Sequence, residues 1–375
     1  MMNLWFFTKS SLLLYAVFFL LSFVFTLLVN ALFLRFFKTL GIRNKSDGTV
    51  IRWGALSKPS VGGIAFYIMF LLSVASYSIL FEPSRSSYQP AFIGLLLSCA
   101  TGFMLGLADD AYDTRPLLKF GAQVLSGVIM ISTGISIHLF ENDWLNSCLT
   151  IFWVVGIMNS INMLDNMDSI TSIVTIGIII NTIYRIVINN DVSNMHLLVL
   201  CGVLASLFAF LRFNWHPSLM YMGDTGSQFL GVFLAAMGII YFWNDPYSPE
   251  IPATGKLLAT TLMTFILPIL DTTVVVINRL SKGKSPFIGG KDHTTHSLAY
   301  LGLTDRQVAW VFISLSGCSL SLNIMIQEYL NPWSHFYSVL FAGYFVMLLV
   351  FFFYTTRNKK MKQIESIQNL KVNEA

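Results

Sequence analysis

The chain has 375 residues, of which 55% are hydrophobic and only 11% are charged, and its formal net charge is +4. A soluble domain carries about 25% charged residues, so this composition excludes an ordinary soluble enzyme. The basic balance suits anionic lipid headgroups and does not indicate nucleic-acid binding. The four cysteines lie in apolar runs without CxxC spacing, so we interpret them as buried small hydrophobic side chains rather than metal ligands.

Apolar runs recur from end to end, and most approach the roughly 20 residues needed to cross a bilayer core of about 30 Å. They predict an all-α integral membrane protein of about 11 transmembrane helices, with a single multi-span domain at 1–355 and a basic tail at 356–375. The first run is too long for a signal peptide and is interpreted as a retained span. In chain order the predicted spans are Leu12–Leu34, Val61–Leu80, Ala91–Leu107, Leu118–Ile137, Leu145–Ile157, Ile170–Ile188, Leu197–Leu211, Gln228–Trp243, Leu257–Ile277, Val308–Ile326 and Phe336–Tyr354.

The distribution of Lys and Arg predicts the orientation of these spans, because cytoplasmic loops carry an excess of both. With Met1 outside and eleven spans, the cytoplasmic loops and their edges hold 19 of the 23 Lys and Arg residues; the other four are Lys9, Arg85, Arg185 and Lys256. The C-terminus is then cytoplasmic, and four polar, aspartate-bearing clusters share the cytoplasmic face. We therefore expect an active site in cytoplasmic loops.

The first cluster, GLADDAYD (Gly106 to Asp113), directly follows the third predicted span. A charge at mid-bilayer costs at least about 2.5–3.5 kcal/mol, so Asp109, Asp110 and Asp113 are expected to reach the interface or a wet cavity. They form either a solvated turn or a site that binds a metal or accepts a proton from a phosphate-bearing substrate. This cluster alone does not decide between the two.

The second cluster, NSINMLDNMD, places Asn159, Asn162, Asp165 and Asp168 at three-residue spacing. Residues spaced in this way share a broad face of a helix. Four short, oxygen-rich side chains on one face predict a wall that binds a hard cation or hydroxyl groups. An ordinary helix cap would need only one such residue.

The third cluster, FNWHPSLMYMGDTGS (Phe213 to Ser227), precedes the eighth predicted span. Gly223 and Gly226 would allow the backbone to approach a ligand closely, and the start of the following helix offers N–H groups for a phosphate. Asp224 could hold a cation facing that phosphate. A simple N-cap is the alternative, but it leaves both glycines unexplained.

The fourth cluster, GGKDHTTH (Gly289 to His296), lies in the longest predicted inside loop. Its HxxH spacing resembles a zinc site, yet no Cys and no third His lies nearby, so a basic phosphate-binding pocket fits better. A positive loop at the lipid headgroups is the alternative. Asp271, inside the ninth span, needs a partner such as Arg279 or a wet cavity. The basic residues around the cluster are Arg279, Lys282, Lys284 and Lys291.

Taken together in this order, the clusters resemble the polyprenyl-phosphate N-acetylhexosamine-1-phosphate transferases of bacterial inner membranes, which belong to glycosyltransferase family 4. The resemblance runs from about Lys58 to Leu303 and rests on seven motifs in order. They are PSVGG, LADDAYD, NxxNMLDNMD, FNxxPxxxxMGDTGS, LDT (Leu270 to Thr272), SPFxGGKDHTTH and LGL.

The resemblance implies that undecaprenyl phosphate attacks the sugar-bearing phosphate of a UDP-HexNAc, most simply UDP-GlcNAc, and that UMP is released. It implies Mg²⁺, with Mn²⁺ as a substitute, held by Asp224 and Asn162. The implied catalytic residues are Asp109 and Asp110 on the lipid phosphate and Asp165 and Asp168 near the nucleotide. The implied substrate-binding residues are Asn159, Arg279, Lys291, His293 and His296.

Two departures from the family pattern bear on specificity. The usual DGxDG reads DNMDS here, with Asn166 and Ser169 in place of the glycines, and the usual HxHH reads HTTH, with Thr295 in place of a His. The aspartates and outer histidines remain, so we expect activity. The identity of the sugar and the oligomeric state stay open, with a homodimer as one option.

A transporter or lipid-handling protein is the alternative class, because transporters also place polar residues in broken spans. Transporters concentrate such residues near the membrane midplane, often in two related halves. Here the polar clusters lie at span ends on one face. This placement favours an enzyme that joins one soluble and one lipid substrate.

Overall fold

A computed structural model of the chain describes residues 9–36, 58–81, 90–248, 253–285 and 290–357. These ranges contain the residues that the sequence singles out as catalytic, substrate-binding or metal-binding. Most of the predicted basic tail, residues 358–375, lies outside them.

Helices are the regular secondary structure of the described residues, which otherwise contain turns, loops and one isolated bridge between Ser60 and Tyr221. The last turn of α8 continues as a π-helix at Ile239–Trp243. The helices are α1 Lys9–Phe36, α2 Gly62–Leu80, α3 Pro90–Tyr112, α4 Pro116–Ser132, α5 Asp143–Leu164, α6 Ile170–Ile188, α7 Met195–Asn214, α8 Gly223–Gly238, α9 Thr254–Thr264, α10 Ile266–Leu280, α11 Thr294–Tyr300, α12 Asp305–Glu328 and α13 His335–Arg357.

The all-α membrane architecture is confirmed. Within the described ranges, nine helices are long and apolar enough to cross a bilayer, and a tenth span is present if the bent pair α9 and α10 counts as one. The remaining apolar run forms α4, which has 17 residues. The count of eleven spans and the outside position of Met1 stay predictions.

The ninth predicted span is not a continuous helix, because α9 and α10 meet at an angle of 80°. Pro268 lies in the first turn of α10, and its ring would clash with the carbonyl group of Thr264 in an unbroken helix. Accordingly, α9 ends at Thr264. The fifth and seventh spans, predicted to be short, are full helices of 22 and 20 residues.

Helix α8 forms the centre of the bundle, where it packs against α2, α3, α5 and α6. Every residue from Thr225 to Gly238 is buried. Small residues allow helices to approach closely in membranes, and here the space is fully used: a Cβ at Gly63 would lie 2.2 Å from the backbone nitrogen of Gly226, and one at Gly106 would lie 2.2 Å from the backbone oxygen of Asp224. This close packing joins the start of α8 to α2 and to the end of α3.

The outer helices expose their apolar residues, as expected of surfaces that face lipid. Only 11% of the spanning windows of α1 and α13 is buried, against 94% for the span that begins at Gly223. The cysteine prediction is correct in part: Cys99 is buried, Cys201 is half-buried, and Cys148 and Cys318 are exposed on their helices.

Candidate active site

The end of α3 caps the start of α8. The carboxylate of Asp110 accepts hydrogen bonds from the backbone N–H groups of Asp224 at 3.1 Å and Thr225 at 2.8 Å, and from the Thr225 hydroxyl at 2.7 Å. Gly223 has a φ of +73° and lies against this carboxylate. The expectation that these N–H groups and glycines serve a phosphate is therefore wrong for this part of the helix start: Asp110 uses the N–H groups, and Gly226 packs against Gly63.

Asp109 forms the centre of a charged cluster beside this cap. One carboxylate oxygen accepts hydrogen bonds from the backbone N–H of Thr114 at 2.9 Å and from its hydroxyl at 2.7 Å. The other oxygen pairs with the ammonium group of Lys119, which also lies 3.9 Å from a carboxylate oxygen of Asp224. Lys119 thus bridges the two carboxylates that sequence patterns assign to the lipid phosphate and to the metal.

Asn162 brings α5 to the same point. Its amide nitrogen donates to Asp224 Oδ1 at 2.7 Å and to the Ser227 hydroxyl at 2.9 Å. Asn159, one turn earlier, exchanges amide hydrogen bonds with Gln123 of α4 at 2.8 and 3.2 Å. Asn162 therefore lies in the charged cluster, whereas the Asn159 amide contacts a neighbouring helix, and its substrate-binding role stays a prediction.

Only the first half of the predicted polar face is helical. Helix α5 ends at Leu164, so Asp165 caps it and Asp168 lies in the turn beyond. Asp168 instead faces the loop after α7, where it accepts hydrogen bonds from the hydroxyl of Ser218 at 2.7 Å, its backbone N–H at 3.0 Å, and the ring of His216 at 3.0 Å. The prediction that all four side chains share one helical face is therefore wrong, because α5 ends at Leu164, before Asp165.

The segment before α2 lies beside this loop. The backbone N–H groups of Gly62 and Gly63 donate to the carbonyl groups of Tyr221 and Met222 at 3.1 and 2.9 Å. The Lys58 ammonium donates to the Ser218 hydroxyl at 2.9 Å and lies 3.9 Å from Asp168. Lys58, directly before the PSVGG segment, thus brings one more positive charge to the end of the bundle that holds Asp168.

The segment before α11 that carries Lys291, Asp292 and His293, the basic loop, is attached to α10 by two acid–base contacts. Asp271 accepts from the His293 ring at 2.8 Å and from the backbone and hydroxyl of Thr294 at 2.8 and 2.7 Å. Arg279 donates two hydrogen bonds to Asp292, at 2.8 and 3.0 Å. The partners of Asp271 are thus His293 and Thr294, while Arg279 holds the same loop through Asp292.

Electrostatics at this loop favour a charged Asp292 and a neutral His296. Burial raises the pKa of Asp292, but hydrogen bonds and charge from Arg279 more than offset it, and the net pKa is lowered. Burial, reinforced by the positive potential of His293, lowers the pKa of His296 to about 3. The His296 imidazole is therefore neutral at physiological pH.

Direct contacts join all four sequence clusters. Asp110 links the first to the third through Thr225, and Asn162 links the second to the third through Asp224. The hydroxyl of Thr295 donates to the side-chain oxygen of Asn166 at 2.6 Å, which links the fourth to the second. Residues separated by up to about half of the chain therefore form one continuous polar site.

The donor set suits a hard cation that binds together with a substrate. The carboxylates of Asp109 and Asp224 both face the Lys119 ammonium group, and like charges held this close favour a cation between them. Among the described residues, no group of three or more His, Cys, Asp or Glu converges as a metal site. Mg²⁺ is commonly held by one or two carboxylates plus substrate phosphates and waters, so Asp109, Asp224 and the Asn162 amide fit this ion.

Sequence reasoning missed Lys119 and Lys58 as site residues. Both counted only as positive charge in cytoplasmic loops, yet each contacts a predicted catalytic carboxylate. A signal for Lys119 was present, because it follows the acidic cluster within one turn of a new helix.

Comparison with known proteins agrees with this arrangement. The family described as "Glycosyl transferase family 4" matches residues 92–242. The chain is 27% identical over 303 residues to the "Probable undecaprenyl-phosphate N-acetylglucosaminyl 1-phosphate transferase" of Bacillus subtilis, covering 78% of this chain and 79% of that protein.

Two further relatives carry related names. The "Decaprenyl-phosphate N-acetylglucosaminephosphotransferase" of Mycobacterium leprae is 28% identical over 298 residues, covering 70% of this chain and 73% of that protein. The "Phospho-N-acetylmuramoyl-pentapeptide-transferase" of Streptococcus agalactiae is 28% identical over 240 residues, covering 58% of this chain and 70% of that protein.

A multi-span helical bundle with carboxylates, amides and basic groups joined at one end is the architecture of a membrane enzyme that acts on phosphate-bearing substrates. The chain is similar to transferases of this kind, and residues 92–242 match glycosyl transferase family 4. Neither the match nor the names favour the transporter alternative.

Proposed function

We propose that the chain transfers N-acetylhexosamine 1-phosphate, in the first place GlcNAc 1-phosphate, from a UDP-sugar to undecaprenyl phosphate. An oxygen of the lipid phosphate attacks the sugar-bearing phosphorus, and the bond from that phosphorus to the bridging oxygen breaks. UMP leaves with the bridging oxygen, and the product is a lipid diphosphate sugar that starts a cell-envelope glycan.

The contact of Asp109, Lys119, Asp224 and Asn162 at one end of the bundle carries this proposal. Phosphoryl transfer needs reactants held in line and developing negative charge stabilised, with little covalent chemistry from the protein. A lysine and a cation-binding carboxylate group at the edge of a membrane bundle can provide both.

Asp224 and Asn162 are the proposed Mg²⁺ residues, with Asp109 beside them. The ion, for which Mn²⁺ can substitute, would neutralise charge on the phosphates and orient them. Asp109 is the better candidate to act on the lipid phosphate, since it lies beside Lys119, which also faces Asp224, whereas Asp110 caps the start of α8. Lys119 neutralises the carboxylates and offers N–H donors to a phosphate oxygen.

The basic loop would hold the sugar nucleotide. Arg279, Lys291 and His293 supply N–H donors suited to diphosphate or sugar oxygens, and His296 lies next to them. Asp165 lies across from this loop at the end of α5, where the nucleotide is expected. Asp168, whose oxygens contact Ser218 and His216, would act by positioning the loop after α7.

The basic distribution supports a site on the cytoplasmic side of a bacterial inner membrane. UDP-sugars are soluble and the lipid carrier is not, so the site must meet both at the membrane surface. Membrane lipids and the two substrates are the proposed partners.

The decisive experiment measures UMP release by the purified protein in detergent with undecaprenyl phosphate and UDP-GlcNAc, beside UDP-GalNAc and UDP-MurNAc-pentapeptide. Release that requires the lipid acceptor, fastest with UDP-GlcNAc, is expected. Faster turnover with another sugar would change the substrate. Transport of the nucleotide sugar into vesicles without UMP release would overturn the proposal.

A further inference from the structure

Two of the three positions where the chain departs from the family pattern, Asn166 and Thr295, contact each other. Asn166 lies in the turn after α5, and Thr295 lies in the first turn of α11, 129 residues later. The Thr295 hydroxyl donates to the Asn166 side-chain oxygen at 2.6 Å. Neither a glycine nor a histidine could make this hydrogen bond in the same way, so the two departures depend on each other.

Both partners are held in fixed orientations. The Asn166 amide nitrogen donates to the backbone oxygen of Met163 at 2.8 Å, which turns its oxygen towards α11. Thr295 is fully buried, with 0% of its surface exposed. A buried hydroxyl needs a hydrogen-bond partner, and Asn166 provides it.

This contact and the hydrogen bonds to Asp271 hold the start of α11. Thr294 and His293 bond to Asp271 of α10 on one side, while the next residue, Thr295, bonds to the end of α5 on the other. Adjacent residues thus fix the first turn of α11 to two different helices. The distance between the end of α5 and the basic loop follows from both contacts together.

His296 depends on the same contact. It is the next residue after Thr295, and the backbone of Asn166 faces its imidazole. The rings of His293 and His296 pack edge to face, with centroids 5.5 Å apart. A change at Asn166 or Thr295 would therefore move the His pair relative to Asp165.

We propose that Asn166 and Thr295 are positioning residues that set the width of the sugar-nucleotide subsite between α5 and α11, and so help to select the sugar. This inference rests on the proposed function, because the occupant of the subsite is the UDP-sugar. The pair touches neither Asp109 nor Asp224 in the described contacts, so it should act on binding and selectivity rather than on the chemical step.

The first test compares two variants of one side chain. Thr295→Val keeps the shape but removes the hydroxyl, and Thr295→Ser keeps the hydroxyl but removes a methyl group. We expect Thr295→Val to raise KM for UDP-GlcNAc about tenfold, or about 1.4 kcal/mol, because the start of α11 loses its hydrogen bond to Asn166. Its kcat should change less than about twofold, and Thr295→Ser should restore KM.

The second test exchanges both residues for those of the family pattern. We expect Asn166→Gly and Thr295→His each to weaken UDP-GlcNAc binding, and the double variant to recover part of the loss, because contacting residues are not additive. The double variant should also alter the ratio of kcat/KM for UDP-GlcNAc and UDP-GalNAc. Thr101→Val, which removes only a hydroxyl bonded to its own helix at Leu97, is the matched control.

The outcomes separate this inference from the proposed function. Active wild-type protein with equal KM values for Thr295→Val and Thr295→Ser, or strictly additive losses in the exchange, would overturn the positioning role alone. A fall in kcat with unchanged KM would also overturn it. Wild-type protein that releases no UMP from any UDP-sugar would overturn the proposed function and, with it, the assignment of the subsite.

Discussion

The carboxylate of Asp110, in the last turn of α3, binds the backbone N–H and the hydroxyl of Thr225, in the first turn of α8, at 2.8 and 2.7 Å. One acidic side chain of the predicted catalytic pair therefore stabilises the start of the central helix. Its neighbour Asp109 instead faces Lys119. Adjacent aspartates of one motif thus have different structural positions, and their variants should differ accordingly.

Asp110→Asn should reduce stability more than activity per folded molecule. Losing a helix cap costs about 0.5–2 kcal/mol, and the amide offers only one acceptor oxygen where the carboxylate has two. Thermal unfolding in detergent measures the loss. Asp113→Asn, at an exposed residue three positions later, is the control and should unfold at the wild-type temperature. Equal unfolding temperatures for the two variants would show that Asp110 does not stabilise the protein as a cap.

Lys119→Met should lower turnover by about 10²–10³-fold, the usual effect of removing one electrostatic contact in a catalytic site. The variant leaves the carboxylates of Asp109 and Asp224 without their shared ammonium group. UMP release under single-turnover conditions measures this, with Lys119→Arg as the variant that keeps the charge. Near-normal turnover in Lys119→Met would show that the lysine only packs against the site.

Activity should require Mg²⁺ or Mn²⁺, because Asp224, Asp109 and Asn162 offer hard oxygen ligands. Excess EDTA should abolish UMP release, and added Mg²⁺ should restore it. Asp224→Asn should lower turnover by orders of magnitude and raise the Mg²⁺ concentration needed for half-maximal rate. Full turnover in EDTA would contradict the metal requirement, and an unchanged Mg²⁺ dependence would remove Asp224 from the metal site.

The side of the membrane can be tested with two exposed serines at opposite ends of the bundle. After replacement of the four native cysteines, Ser193→Cys between α6 and α7 should react with an impermeant thiol reagent in intact cells. Ser285→Cys beside the basic loop should react only in opened cells. The orientation derived from 19 cytoplasmic Lys and Arg residues would be reversed by the opposite labelling pattern.

Much of the fold could be predicted because membrane spans are a local property of the sequence. Each apolar run became a helix or, at Pro268, a bent pair. The joining of the four clusters could also be predicted, since counting spans places them on one face. This argument needs only the order of spans and no knowledge of side-chain contacts.

The pairing of side chains within the site could not be predicted. Whether Asp110 caps α8 or binds a ligand depends on how closely Gly106 lets α3 approach Asp224. Three-residue spacing suggested one helical face, but α5 ends at Leu164. The contact between Asn166 and Thr295 joins segments far apart in sequence, and no spacing rule predicts it.

The pH dependence of stability should show the buried neutral His296. Its pKa is lowered to about 3, below the ordinary value of about 6.5. Between these two values His296 is neutral in the folded protein but protonated in the unfolded chain. The stabilising contribution is therefore complete above about pH 6.5 and is lost progressively as the pH falls towards 3. Asp292, whose pKa is lowered, loses its contribution only below its ordinary value of about 3.9.

The window between about pH 6.5 and 5 thus isolates His296 from Asp292, and a slope of one proton corresponds to about 1.4 kcal/mol per pH unit. The titratable groups near His296 are His293, Asp271 and Lys291, and all three remain in His296→Gln. Thermal unfolding in detergent at several pH values should show a slope in the wild type that exceeds the slope of His296→Gln by nearly one proton. Equal slopes would mean that His296 is protonated in the folded protein as readily as in the unfolded chain, which would contradict its assignment as a neutral imidazole.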